Sequence, residues 1–401
     1  MKILIVTQYF WPENFRINDL AVGLKERGHE VMVFTGKPNY PKGQLYKGYS
    51  FFNKRKENWN GIQIIRSPLI PRGNGGGIRL FINYFSFAFF GSLRCIFLKL
   101  TADVIYVYEP SPITVGIPAI LLKWKTKAPL FFWVQDLWPH VLISSGGIKN
   151  KVVIQLANSL TKWIYKHCDK VLLQSKAFYD YIILQNVSRG KMQYLPNSAD
   201  AYYKPVERNK EFEKYFKSKY NLVFAGNIGE SQSFETLLKA AVLVKINNPD
   251  ISWIVIGDGR MKDWVFKKIN DYNIADVFKL IGSYPSDNMP GIFAYADAMI
   301  VSLKKDLTLS LTIPSKLQSY MACGKAIIGS LDGEGGRIIK EFECGFVSPS
   351  EDEVSMAEQV IKFFNLPMNE RKAMEQNSLK FYNLEFNRDV LIDNLISLKN
   401  G

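Results

Sequence analysis

The 401-residue sequence is poor in the residues that build metal centres and disulfide frameworks. It holds 4 cysteines (Cys95, Cys168, Cys323 and Cys344), none in CxxC spacing, and 3 histidines. Thiols scattered in this way point to a reduced, cytoplasmic chain, and so few histidines cannot make a rich metal site. After Lys2 only Ile3 to Val6 are apolar before polar residues arrive, so no secretory leader is expected. No GxGxxG follows that first apolar run, which argues against a nicotinamide nucleotide. Internal repeats and low-complexity segments are missing as well. The longest uncharged aromatic stretch, Leu80 to Leu93, has 14 residues, too few to span a bilayer. It reads as an ordinary buried helix or as an interfacial helix flanked by Arg79, Arg94 and Lys99.

What is present fits an α/β protein of two domains. Hydrophobic content of 47% with 22% charged residues is that of a globular chain. The net charge of +14 sits in one half: residues 1–200 carry 26 Lys and Arg against 11 Asp and Glu, the remainder 25 against 26. A basic lobe suggests a polyanionic partner, whether nucleic acid, an anionic membrane or a pyrophosphate-bearing substrate, unless the charge serves only solubility. Near-continuous apolar runs read as strands buried on both faces of a parallel sheet. They fall at Lys2–Thr7, His29–Thr35, Asp103–Tyr108, Leu130–Gln135, Lys170–Gln174 and Gln193–Leu195. Pro196-Asn197-Ser198 then breaks the chain, and Tyr202–Ser218 is charged and linker-like. A second series follows at Leu222–Asn227, Ile251–Ile256, Phe278–Gly282, Ala298–Ser302 and Ala326–Gly329. Each run ends in a glycine or polar turn, so those loops gather at the C-terminal edge of a doubly wound sheet, where ligands bind. The expected division is 1–198, 199–375 and a C-terminal helix, 376–401, returning to the first domain.

The densest chemistry lies in Ile313–Gly336. Pro314 presets the start of a short helix, where Ser315 and Lys316 offer free backbone N–H groups and a point charge to a phosphate. Gly333, Gly335 and Gly336 would form a loop able to wrap a ligand; an ordinary αβ unit with a surface lysine has the same pattern. In the first half, Arg16 is either a phosphate or acceptor contact or a solvated loop residue. Asp136, at a strand's C-terminal end, either accepts a hydroxyl proton or caps the next segment. His140 follows a proline, the place of a turn residue.

Several motifs resemble the family-4-type glycosyltransferases of GT-B fold over nearly the whole chain. They are Tyr9-Phe10-Trp11-Pro12-Glu13-Asn14, Arg27-Gly28-His29-Glu30-Val31, Leu195-Pro196-Asn197-Ser198-Ala199-Asp200, Gly226-Asn227-Ile228-Gly229, Ile256-Gly257-Asp258-Gly259-Arg260 and Met321-Ala322-Cys323-Gly324-Lys325. Thr35–Pro41, Gln135–Pro139 and Pro314-Ser315-Lys316 look like a bacterial subgroup making surface polysaccharides (colanic acid, O-antigen, capsule), with N-acetyl-L-fucosamine transferases nearest. The resemblance implies two Rossmann-like domains facing across a cleft, and retaining transfer from a nucleotide sugar, UDP-linked and in the nearest members UDP-N-acetyl-L-fucosamine. It also implies an acceptor sugar on undecaprenyl pyrophosphate, an anionic inner-membrane surface met from the cytoplasmic face, no metal and no nucleic acid.

Carried onto this sequence, the resemblance places Lys316 and Arg260 on the diphosphate with Ser315 and the Gly257-Asp258-Gly259 amides. Glu334, with Gly335 and Gly336, would take the ribose, and the base would lie by Gly282-Ser283-Tyr284. Asn227, Gln232 and Ser319 complete the donor set. Glu13, Arg16, Asn39, Tyr40 and His140 would meet the acceptor or its phosphate, with Asp136 and Lys316 as the catalytic pair. Three departures stand out. The paired glutamates spaced E-x7-E fall at Leu311 and Ser319, the usual Arg and Lys of the diphosphate grip fall at Asn227 and Gln232, and the family's histidine falls near Asp136. The missing pair keeps open a catalytically silent pseudo-transferase, while a UDP-sugar 2-epimerase would need acidic and histidine residues scarce here.

Overall fold

The computed structural model describes residues 1–144 and 147–399. Its contacts divide the chain into two units, Met1–Pro196 with the segment from Arg388 onward, and Asn197–Asn387. The first therefore ends two positions before the expected break, and the returning segment starts at Arg388 rather than at 376.

In the N-terminal unit the apolar runs pair as eight strands. These are β1 (Lys2–Val6), β2 (Glu30–Gly36), β3 (Lys56–Trp59), β4 (Ile62–Ser67), β5 (Val104–Glu109), β6 (Leu130–Val134), β7 (Lys170–Leu173) and β8 (Met192–Tyr194). Their order is β3-β4-β2-β1-β5-β6-β7-β8, every pair parallel except β3 with β4. Ile3 to Val6 and all of β5 and β6 are buried, as helices on both faces of a parallel sheet require. Strand order reverses between β1 and β5, so the loops after these two strands border a crevice at the sheet's C-terminal edge. The apolar pattern gave no hint of β3 and β4. Polar Lys56-Glu57-Asn58 makes β3 an edge strand, and β4 carries Arg66, fully buried and bonded to Glu57 and to the carbonyl oxygens of Gly36 and Trp11.

The aromatic stretch belongs to a longer helix than its uncharged core suggests, Gly77–Phe97, 21 residues. By length and composition it could cross a membrane, which corrects the reading of a run too short to do so. Its inner face, Asn83, Ser86, Phe87, Ala88, Gly91 and Cys95, is buried against the protein. The returning helix Arg388–Ser397 lies on Arg16–Glu26. Leu391, Ile392 and Leu395 enter the core beside Ile17, Leu20 and Leu24, and a Cβ at Gly23 would come within 2.3 Å of Ile392. Arg388 pairs with Asp19 at 2.6 Å, and Arg27 with Asp389 and Asp393 at 2.9 and 2.6 Å.

The second unit holds β9 (Tyr220–Ala225), β10 (Ile251–Ile256), β11 (Phe278–Leu280), β12 (Ala298–Ser302), β13 (Ile327–Ser330) and β14 (Gly345–Ser348), all parallel, in the order β11-β10-β9-β12-β13-β14. Alternate side chains feed two cores, Val223, Ile254 and Met299 on one face and Leu222, Trp253 and Val255 on the other. Strand order reverses between β9 and β12. Tyr202–Ser218 is no linker: Phe212, in the helical turn Lys210–Tyr215, is buried in the core, and Tyr203 stacks on Phe293. Gly333–Gly336 is not a loop either but the first turn of the helix Gly333–Glu341.

Candidate functional site

In the second unit Asn227, Gln232, Lys316 and residues 257–260, of the expected donor residues, gather beside the switch between β9 and β12. The β9–β12 ladder stops at Val223 and Met299, so the polar groups of Ala225 have no strand partner on that side. The Tyr320 hydroxyl supplies both bonds, accepting from the Ala225 N–H at 2.9 Å and donating to its carbonyl at 3.0 Å. Tyr320 thereby fastens the helix Ser315–Ala322 to the end of β9. That helix follows Pro314 without a side-chain cap, and its N-terminal end carries the partial positive charge that favours an anion.

Lys316 turns back from this helix start onto the β9 loop. Its ammonium bonds Gln232 Oε1 and lies 4.1 Å from the centre of the Phe224 ring. Burial lowers its pKa to about 7. Gly226 sits at φ +139°, a backbone that L side chains rarely adopt, and a Cβ there would also push on Lys316 Cε at 2.6 Å. The next loop locks onto this one: Gly226 N–H donates to the Ile256 carbonyl at 2.8 Å, Ile228 N–H to that of Asp258 at 2.8 Å, and Gly257 N–H to that of Gly282 at 2.8 Å. Asn227, Gln232, Gly257, Asp258, Gly259 and Arg260 thus share one interlocked rim with Lys316. Asp258 Oδ1 accepts from the Gly259 N–H at 2.8 Å, and Asn227 and Arg260 are exposed. Tyr284, next to Ser283, packs edge-on against Phe212 and donates to the Tyr215 hydroxyl at 3.2 Å.

Ser319, one turn after Lys316, is buried and donates weakly to the Ser315 carbonyl at 3.4 Å. Glu334 is buried, and both its oxygens carry bonds from Arg337, at 2.8 and 2.9 Å, so a ribose hydroxyl would be a further partner. Gly335 and Gly336 press on Leu331 and Pro314; a Cβ on Gly335 would meet Leu331 at 2.6 Å, which explains glycine by packing instead of ligand wrapping.

In the N-terminal unit Asp136 follows β6 at the crevice. Ser111 donates to its Oδ2 at 2.6 Å, and Trp138 Nε1 donates to Ser111 at 3.2 Å. Glu109, at the end of β5, is wholly buried and accepts from the backbone N–H groups of Ser111 and Asp136 at 3.1 and 3.5 Å. Burial raises the Asp136 carboxyl above the usual range; it pushes Glu109 much higher, with the Asp136 charge adding to it. Sequence reading passed over Glu109, although a carboxylate closing an apolar strand was its signal.

Two residues expected at the acceptor are instead internal. Glu13 is buried and clamps two loops, accepting from Asn39 and Tyr40 N–H at 2.7 Å each and from Phe10 N–H at 3.3 Å. Asn39 is fully buried, its amide donating to the Lys37 carbonyl at 3.0 Å. Both shape the crevice from behind and leave no face for a ligand. Tyr40 does reach the surface, in a ring cluster with Tyr9 and Phe15. Arg16 opens its helix, and the His140 ring lies 5.2 Å from that of Tyr181. Among the described residues no three His, Cys, Asp or Glu side chains are grouped to hold a metal.

Two Rossmann-like α/β units, their sheets parallel apart from the β3–β4 edge pair, are the architecture of the GT-B glycosyltransferases. The chain belongs to the group 1 glycosyltransferases. Residues 14–198 match the model described as glycosyl transferase 4-like domain, and residues 206–381 the model described as glycosyl transferases group 1. It is 24% identical over 348 residues, 81% of this chain and 82% of the other, to WcaI of Escherichia coli (strain K12), which is named for colanic acid biosynthesis glycosyl transfer. Among solved structures it superposes on Anabaena Alr3699/HepE in complex with UDP, with a TM-score of 0.71 at 12% identity over 99% of each chain. A Burkholderia vietnamiensis α,α-trehalose-phosphate synthase (UDP-forming) gives 0.72 at 14% identity over 100% of each.

Proposed function

We propose that the chain moves a sugar from a UDP-linked donor to a saccharide carried on a lipid pyrophosphate, in the synthesis of a bacterial surface polysaccharide. UDP-N-acetyl-L-fucosamine is the first donor to test. One observation carries the reading: Lys316, at an uncapped helix start, is folded back over Gly226 with no carboxylate paired to it among the described residues. A diphosphate is the group that such a cradle fits. As the bond from the anomeric carbon to the diphosphate breaks, Lys316 and the first-turn N–H groups take up the charge on the departing oxygen, which is where most of the rate gain would arise. The acceptor oxygen forms the new bond to that carbon. We assign the hydroxyl proton to the Asp136 carboxylate, which accepts a bond from Ser111 and whose pKa burial raises above the usual range, making it a stronger base. The name of the colanic acid relative and the UDP in the Anabaena complex agree with this reading.

The outer face of Gly77–Phe97 supports a lipid-borne acceptor. Phe81, Phe85, Phe89 and Phe97 are 43–78% exposed there, and the basic excess lies in the same half of the chain. Because its inner face is buried against the protein, we read this helix as lying in an anionic membrane surface and not through it.

The test is calorimetric binding of UDP, GDP, dTDP and ADP to the purified chain. Selective UDP binding, lost in Lys316→Ala, is expected. Failure to bind any nucleoside diphosphate would overturn the reading in favour of a silent pseudo-transferase.

A further inference from the structure

The helix Gly77–Phe97 turns Phe81, Phe85, Phe89 and Phe97 outward, while its inner face sets Asn83, wholly buried, and Ser86, nearly so, beside the buried Phe87, Ala88 and Cys95. Packing alone does not call for polar side chains on an inner face, so these two need a reason. They hold the loop before the helix. Asn83 Nδ2 donates to the Ile70 carbonyl at 2.6 Å, and Ser86 Oγ accepts from the Ile70 N–H at 2.8 Å. Gln8 Nε2 donates to Asn83 Oδ1 at 2.7 Å. Asn83 Nδ2 also reaches Asn39 Oδ1 at 3.4 Å, and that same oxygen accepts the backbone N–H of Arg72 at 3.1 Å.

The network ends on a cation that the reaction as described above does not use. The Arg72 guanidinium sits 4.9 Å from the centre of the Tyr40 ring. Among the described residues no carboxylate forms an ion pair with it. Its charge acts on the buried hydroxyls of Tyr9 and Tyr84, and Tyr84 also feels the charges of Asp136 and Glu109. Tyr84 further packs edge-on to Trp138, two residues beyond Asp136. Arg72 and Asp136 thus lie on either hand of Tyr84, close enough for both charges to act on its hydroxyl.

We propose that Arg72 is the anion site of the acceptor side, taking a phosphate of the membrane-borne pyrophosphate ester whose sugar reaches Asp136. Asn83 and Ser86 fix the backbone of the loop that carries Arg72 to the helix whose outer face, on the function proposed above, meets the lipid, and so set the height at which the phosphate would be met. The identity of the phosphate's carrier rests on the function proposed above; the anion site does not.

The experiment titrates inorganic pyrophosphate calorimetrically into the full chain already saturated with UDP, so that the donor cradle is filled. Arg72→Gln should weaken pyrophosphate binding about tenfold or more, as loss of a charge-assisted bidentate contact does, and Arg72→Lys less than that. UDP affinity should be unchanged in both. Asn83→Leu keeps the guanidinium and removes its tether, and should weaken pyrophosphate in the same direction. Unchanged pyrophosphate binding in Arg72→Gln overturns the site. The carrier is read by flotation with phosphatidylglycerol vesicles, plain or doped with a polyprenyl pyrophosphate. Doping should tighten binding, and Arg72→Gln should erase only that increment. Equal loss on plain vesicles would make Arg72 a general lipid contact and overturn the acceptor assignment. Wild-type chain that floats with neither vesicle would refute the membrane reading, and with it the carrier, while the soluble pyrophosphate result still decides the anion site.

Discussion

Lys316 should make nucleotide binding consume a proton. Its ammonium has Gln232 Oε1 and the Phe224 ring as neighbours, and burial holds its pKa at about 7. A diphosphate in the cradle sets an opposite charge against it and restores the protonated form. With about 7 in the free chain and several units more in the complex, uptake is about half a proton at pH 7 and about nine-tenths at pH 8. Affinity should then fall about fiftyfold between pH 7 and pH 9. The nucleotide's own terminal phosphate, whose last ionisation lies near pH 6, is largely ionised over that range. Calorimetric titration of UDP in buffers of different ionisation enthalpy measures the uptake directly. Lys316→Met should bind more weakly at pH 7 and show no such slope. No proton uptake by the wild type between pH 7 and 8, or the same slope in Lys316→Met, would refute the assignment.

Two further variants test the scaffold of the two crevices. Tyr320→Phe leaves the Ala225 N–H and carbonyl without their buried partner and should cost about 1–3 kcal/mol in urea unfolding, with UDP binding weakened as the cradle loosens; a loss below about 0.5 kcal/mol would mean that water replaces the hydroxyl. Burial raises the Glu13 carboxyl from 4.5 to about 7. The folded chain therefore holds a proton that the unfolded chain has released, and stability drains away as pH rises from about 4.5 to about 7, by an upper limit of about 3 kcal/mol. Glu13→Gln keeps an oxygen for Asn39 and Tyr40 and should remove that part of the pH dependence; parallel stability curves for the two proteins from pH 5 to 8 would show that Glu13 is charged throughout.

Both sheets were legible where strands are buried on both faces, because such strands must be apolar at every position. Ile251–Ile256 and Ala298–Ser302 fall at their expected bounds for that reason. Strand β3 escaped because an edge need not be apolar, and β4 because it carries Arg66, which only the β3–β4 pairing brings to Glu57 and only the fold brings to the Trp11 carbonyl, 55 positions away. The helix start proposed as the donor cradle could be read from local chemistry, since proline, serine and lysine there act within one turn. The acceptor crevice could not. Glu13 and Asn39 look like ligand residues in a polar loop, yet loops that cross a sheet edge must satisfy their own backbone first, and these two side chains do so. Arg72, in a glycine-rich stretch with no apolar period, carries no local sign of its role; the tether from Asn83 exists only once the helix is docked.

The departures from the family pattern make one electrostatic arrangement. Where relatives would carry Arg and Lys on the β9 loop, this chain has Asn227 and Gln232; where they would carry two glutamates, it has Leu311 and Ser319. A glutamate at 319 would stand one helical turn from Lys316, near enough to pair with it, and would keep the ammonium charged but occupied. A lysine at 232 would face the Lys316 ammonium where Gln232 now offers a carbonyl oxygen, and the two cations would repel. Without loop cations or carboxylates, Lys316 has no ion pair among the described residues and burial holds it close to neutrality; on the function proposed above, the anion that it receives would charge it. On that proposal the loss of the paired glutamates goes with a relocated diphosphate grip, and by itself gives no reason to read the chain as silent.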